Sequence, residues 1–146
     1  MTQPRRIALA GDHAAVDLKA HIAELLTAAG HEVVDLGTNG RDSVDYPNFA
    51  DAMAAAIADG RAEQGVLLCG TGIGISIAVN RHRHIRGALV HDTTGARLAR
   101  QHNDANVLVL GARTTGPEVA KDCVETFLAT EFEGGRHARR VAMLSR

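Results

Sequence analysis

The 146-residue chain has no tryptophan, one tyrosine and three phenylalanines, so aromatic residues make up only 3% of it. Almost nothing is left to stack on exposed bases, which argues against a single-strand nucleic-acid binder. Charge of one sign is lacking too: 16 lysines and arginines face 17 aspartates and glutamates, a net of −1 with neutral histidine. Such a balance gives no general attraction to nucleic acid or to an anionic membrane, and neither is expected as a partner. No apolar run approaches the roughly 18 residues of a membrane span. The first apolar run, Ile7 to Ala10, meets Asp12 and His13 too soon to be a signal-peptide core, so a cytoplasmic protein is expected. The two cysteines, Cys69 and Cys123, are too few for a disulfide framework and lack a metal-like spacing. Both are expected as free thiols.

What is present is an alternation. Short apolar runs at Ile7 to Ala10, Glu32 to Leu36, Val66 to Cys69, Ala88 to Val90 and Val107 to Leu110 read as strands. Between them lie helical patterns: Leu18, Ile22, Leu25 and Leu26 before Gly30, an Ala-rich stretch from Pro47 to Gly60, Ile75 to Asn80, and a segment ending near His102-Asn103. A helix from Pro117 follows, with Val119, Val124, Phe127 and Leu128 on its apolar side, and a last helix is expected between Gly134 and Arg146. About five strands alternating with helices predict an α/β, Rossmann-like three-layer sandwich around a central parallel sheet with right-handed crossovers. No linker or repeat argues for a second domain, so residues 1–146 are read as one domain with a helical tail from about 134. Ligands of such folds gather beyond the carboxyl ends of the strands. Here those ends are Gly11-Asp12-His13, the loop from Gly70, His91-Asp92 and Gly111-Ala112-Arg113.

The sharpest local signal is Cys69-Gly70-Thr71-Gly72-Ile73-Gly74, where a thiol, a hydroxyl and three alternating glycines open a helix. Backbone amides there can converge on an anion, and the helix start favours Cys69 as a thiolate base or nucleophile. The plain alternative is a tight turn with Cys69 as a small buried hydrophobe. A dinucleotide-binding loop is a weaker reading, because Ile75 stands where the third glycine should be, although Asp92 lies roughly 20 residues on, where a ribose-binding acid belongs. No Gly-Lys-Ser/Thr ending is present, so a phosphate loop of the NTPase type is excluded. Asp12-His13 and His102-Asn103 are each compatible with simple helix capping. Arginine outnumbers lysine 14 to 2, and Arg136 and Arg140, four apart, can present two guanidiniums from one helical face to a phosphate or form a solvated basic tail. The other histidines, His21, His31, His82, His84, His91 and His137, show no HExxH spacing, so no metal site is expected.

Six ordered blocks carry a resemblance across nearly the whole chain: GDH at 11–13, DYP at 45–47, CGTGIGIS at 69–76, RQHNDANVL at 100–108, GAR at 111–113 and EGGRHARRV at 133–141. Together they resemble the sugar-phosphate isomerases of the ribose-5-phosphate isomerase B type, grouped with the galactose-6-phosphate isomerase subunits. The resemblance implies an aldose–ketose isomerase without metal or organic cofactor, assembled as a homodimer or a dimer of dimers. It implies Cys69 as the base moving a proton between C1 and C2, Thr71 and the amides of Gly70, Gly72, Ile73 and Gly74 around the enediolate, and His102 opening the sugar ring. Asp12, His13, Tyr46 and Asn103 match sugar-contacting positions; Arg113, Arg136 and Arg140 match the phosphate-binding set. It further implies that His102, Asn103 and Arg113 reach the site from a partner subunit. Some members use a glutamate in the glycine loop; Ile75 stands at that place here, which marks the cysteine-base type. The stretch His91-Asp92-Thr93-Thr94 departs from several pentose-phosphate enzymes and bears on the sugar preference: ribose 5-phosphate is the first expectation, with allose, galactose or tetrose phosphate as alternatives. A noncatalytic subunit and a nucleotide-binding module are the remaining readings.

Overall fold

The computed structural model describes residues 3–146. Five strands, β1 (Arg6–Gly11), β2 (Glu32–Asp35), β3 (Gln64–Cys69), β4 (Gly87–Leu89) and β5 (Val107–Gly111), form one sheet in the order β2-β1-β3-β5-β4. Every pairing is parallel. Six α-helices flank it: α1 (Val16–Ala28), α2 (Tyr46–Ala58), α3 (Ile73–Val79), α4 (Thr93–Asn103), α5 (Pro117–Ala129) and α6 (Arg136–Leu144). This is the α/β, Rossmann-like sandwich that the alternation predicts. No described helix is long and apolar enough to cross a membrane.

Both sheet faces are covered, which explains why the central strands read as continuous apolar runs. All six residues of β3 and all five of β5 are buried. One face packs Ile7, Leu9, Leu68, Leu108 and Leu110 against Ile22, Leu26 and Phe127 of α1 and α5. The other packs Ala8, Leu67, Val107 and Val109 against Met53, Ile75 and Val79 of α2 and α3. Truncating one of these fully buried leucines to alanine removes roughly 2–5 kcal/mol, because transfer free energy and cavity cost add.

Most elements begin and end where composition places them. Proline near the start of α2 and α5 supplies the helical φ at a position whose N–H is free of an intrahelical partner. The expected helix from Ile75 begins two residues earlier, at Ile73, because Gly72 adopts φ +77 and turns the chain straight from strand into helix. A side chain at Gly72 is strained by that left-handed backbone, and its Cβ would crowd the Leu89 methyl at 2.5 Å and the Leu110 backbone at 3.1 Å. At the other end of the chain, Gly134 (φ +67) and Gly135 (φ +53) fold α6 back against α4.

The strand order fixes where a ligand can enter. From β1 the chain leads one way to β2 and the other way to β3, which makes the crevice between the carboxyl ends of β1 and β3 the topological switch point. Asp12 and Cys69 are the residues at those two ends.

Candidate active site

Gly11 pairs with Leu68 in register, and the Asp12 amide donates to the Leu68 carbonyl at 3.2 Å. Asp12 and Cys69 therefore stand side by side at the top of neighbouring strands, about 4.8 Å apart in the strand-to-strand direction. Asp12 is 7% exposed, and its carboxylate accepts from the Ala14 amide at 3.1 Å, capping a 3-10 turn at His13–Ala15. His13 accepts the Val44 N–H at Nδ1, 3.2 Å away. In the neutral ring that leaves the proton on Nε2, a donor for a polar ligand.

Cys69 is 5% exposed, and its Sγ accepts the Gly72 N–H at 3.2 Å. The sulfur is thus pinned by an amide of its own glycine loop. Thr71, exposed, has its Oγ1 bonded by the Ile73 amide at 3.2 Å. Tyr46, 39% exposed at the start of α2, lies over Gly74 so closely that a Cβ there would sit 2.7 Å from its ring. The glycines of this loop are thus spaces, one used by Leu89 and one by Tyr46. The second thiol has no such setting: Cys123 is wholly buried, and burial, with Asp92 and Asp122 adding, pushes it up to about 11. It is inert at neutral pH.

Arg113 lies next to the glycine loop. The resemblance implies that it reaches the site from a partner, yet it lies beside the Cys69 loop of its own chain. Cys69 pairs with Gly111 at the end of β5, so the chain leaving β5 runs alongside: Arg113 N donates to Gly70 O at 2.8 Å. Its guanidinium lies 3.4 Å from where a Gly70 Cβ would be.

The remaining predicted residues assemble elsewhere. His102 and Asn103 end α4, just before the amino end of β5, whereas Cys69 stands level with its carboxyl end. Five residues of β5 separate the two levels, on the order of 15 Å. At the lower level His102 stacks on His137 of α6, ring centroids 4.4 Å apart and planes 14° from parallel. Glu133 places Oε1 3.8 Å from His102 Nε2 and 3.6 Å from His137 Nε2. Burial lowers the His137 pKa, helped by His102 and Arg136 and opposed by Glu133. His102, Asn103, His137 and Arg140 line a pocket of about 320 Å³ with Val141 and Leu144. Arg136 and Arg140 are both exposed, four residues apart on α6.

One chain therefore carries two groups: Asp12, His13, Tyr46, Cys69 to Gly74 and Arg113 above the sheet, and His102, Asn103, Arg136 and Arg140 below it. Glu133 and the stacking of His102 on His137 were missed in the sequence. Glu133 precedes α6 and is set off from it by Gly134 and Gly135, both of positive φ, so helical spacing in the sequence does not reveal that it faces His137.

A thiol and a carboxylate stand at a switch-point crevice beside a glycine loop and an arginine, where ligands of such sheets bind. The family follows from comparison: the ribose/galactose isomerase model matches residues 7–144, and the chain belongs to that family. It is similar to the ribose-5-phosphate isomerase B of Escherichia coli, 43% identical over 141 residues, covering 97% of this chain and 95% of that protein. It is 45% identical over 137 residues to the D-erythrulose-4-phosphate isomerase of Pectobacterium atrosepticum, covering 92% of this chain and 90% of that one. The crystal structure of a ribose 5-phosphate isomerase from Thermotoga maritima superposes with a TM-score of 0.96 at 49% identity, over 98% of this chain and 99% of that one. The protein is an aldose–ketose isomerase of the sugar-phosphate class.

Proposed function

We propose that the chain interconverts ribose 5-phosphate and ribulose 5-phosphate by proton transfer through an enediolate, with Cys69 as the base, in a homodimer whose two sites each draw on both subunits. The observation that carries the mechanism is the Cys69 sulfur held 3.2 Å from the Gly72 amide at the switch point. The thiolate removes the proton at the carbon next to the carbonyl, the electron pair moves into an enediolate, and the same sulfur returns the proton to the neighbouring carbon. In this reading the glycine-loop amides not already bonded to Cys69 Sγ and Thr71 Oγ1, with the Thr71 hydroxyl, serve as the fixed donors for the developing oxyanion. Asp12, His13 and Tyr46 border the same crevice as hydroxyl partners for the sugar chain.

Ring opening and phosphate binding fall to the lower group. An imidazole suits the proton exchange between ring oxygen and hydroxyl, and His102 is the one the family resemblance points to. Since β5 keeps His102 far from Cys69 within one chain, the two groups meet only if a second copy brings its lower group over the first copy's crevice. Such an arrangement pairs Arg136 and Arg140 of one subunit with Arg113 of the other around the phosphate. A noncatalytic subunit would lack the base or the ring-opening histidine, and this chain has both Cys69 and His102.

A tetrose phosphate is the second substrate reading, favoured by the Pectobacterium relative's 45% identity. The deciding experiment is a coupled assay across tetrose, pentose and hexose phosphates. Highest kcat/KM on ribose 5-phosphate is the expected result; a clear preference for the tetrose moves the assignment to that substrate.

A further inference from the structure

We propose that His102, Glu133 and His137 form a binding site for a transition-metal dication of the zinc class, and that its occupancy inhibits the enzyme by engaging His102. The inhibitory half rests on the reading of His102 as the ring-opening group; the binding half does not.

The distances carry the argument. The Nε2 atoms of His102 and His137 lie 3.8 and 3.6 Å from Glu133 Oε1, beyond hydrogen-bond range. Ligands about 2.1 Å from a tetrahedral zinc ion lie roughly 3.4 Å from one another, so the cluster is too wide for hydrogen bonds and close to the width of a metal site. All three ligand atoms lie within 4.8 Å of one another. Two imidazoles and one carboxylate also make a donor set that zinc uses in sites with an open fourth position.

The setting supplies one fixed ligand and two adjustable ones. The His137 side chain is 11% exposed, whereas His102 is 39% and Glu133 51% exposed. His102 and His137 both line the adjoining pocket, from which a cation would enter. Glu133 is anchored through its backbone, whose N–H donates to Gln101 O at 3.1 Å one residue before His102. Arg136 and Arg140 lie on the same helix and oppose a bare dication, so the bound ion is expected to carry water exchanged for an anion in its fourth position.

The test uses the full chain freed of metal with a chelator. Zn²⁺ is titrated calorimetrically and Co²⁺ by visible absorption, each as the metal alone, in the parent and in the His137→Gln and Glu133→Gln proteins. Binding is repeated in Cys69→Ala to separate thiol ligation. The expected result is one site per chain, retained in Cys69→Ala and weakened at least about tenfold in the other two variants. Absence of binding in the parent, or equal binding in His137→Gln and Glu133→Gln proteins that keep their circular dichroism, overturns the site. In the activity arm, Zn²⁺ should inhibit turnover of a ring-forming substrate in step with occupancy and be reversed by chelator; occupancy without inhibition overturns the regulatory half. Turnover of His102→Asn, measured without metal, tests the reading of His102 separately, so its failure is distinguishable from failure of the metal site.

Discussion

The two ends of the sheet are built differently. Above it, Cys69 ends β3, which with its neighbour β5 is buried throughout, and the site is tied by the Asp12 amide to Leu68 O, the Arg113 amide to Gly70 O and the Gly72 amide to Cys69 Sγ. Below it, the lower group hangs on the end of α4 and on α6, a helix in which only His137 is buried. A proton transfer at carbon needs a base placed to within a fraction of an ångström, and strand ends in a packed core supply that rigidity. Binding a phosphate and opening a ring tolerate a looser frame, and helix ends with exposed arginines supply one. On the proposed roles, the chain splits the reaction between a rigid half and an adaptable half that its own fold holds apart.

The comparison is broken most severely at the thiol. Cys69→Ala should keep the fold and the affinity for substrate while kcat falls by about 10²–10⁴, the range of a lost general base. Near-normal turnover in a folded Cys69→Ala protein would return that thiol to a packing role. On the adaptable side, Arg136→Ala and Arg140→Ala should chiefly raise KM, each by about 10- to 150-fold, since each removes a charge-assisted contact worth roughly 1.5–3 kcal/mol to a ligand. Inorganic phosphate should compete with substrate in the parent; unchanged KM in both variants would make α6 a solvated basic tail.

His102 sharpens the division further. His102→Asn should lose most of its kcat/KM on a ring-forming pentose phosphate yet keep a larger fraction on a tetrose phosphate, whose chain is too short to close through its phosphorylated terminal oxygen. Equal losses on both would shift His102 from ring opening to enediolate stabilisation or assembly.

The smallest effect concerns the loop that carries Tyr46. Lys19, 2% exposed, reaches Asp35 and Asn39 at 2.8 Å each and ties α1 to the start of that loop. Burial pushes the Asp35 carboxyl up, but its bonds to Lys19, Gly37 and Asn39 outweigh that and hold its pKa below the ordinary 3.8. A carboxylate depressed in the folded state contributes stability above the unfolded pKa and loses it as pH falls through the folded value. Thermal melts of parent and Asp35→Asn should therefore differ at neutral pH and converge below about pH 4; a difference that persists in acid would mean that the pair does not titrate as described.

Much of this was legible in the sequence, and the omissions have physical causes. The central strands follow from short apolar runs that end in glycine, the pattern of parallel strands buried on both faces. Lys19 reads as an ordinary exposed helix position, because its partners Asp35 and Asn39 lie 16 and 20 residues away on another element. The stack of His102 on His137 depends on how α6 folds back, which local pattern does not encode. That Arg113 lies beside the Cys69 loop of its own chain follows from the Cys69–Gly111 register, which β5 sets by inserting between β3 and β4 and which local pattern does not encode.

The division of the reaction between two copies is tested most directly by complementation. Cys69→Ala and His102→Asn proteins, each nearly inactive alone on a ring-forming substrate, are unfolded, mixed in equal amounts and refolded together. If each site takes Cys69 from one subunit and His102 from the other, half of the dimers are mixed and each has one intact site, so about 25% of parental activity returns. If the mixture stays as inactive as its components although mixed dimers have formed, both residues act within one chain or His102 does not act with Cys69, and the account is wrong.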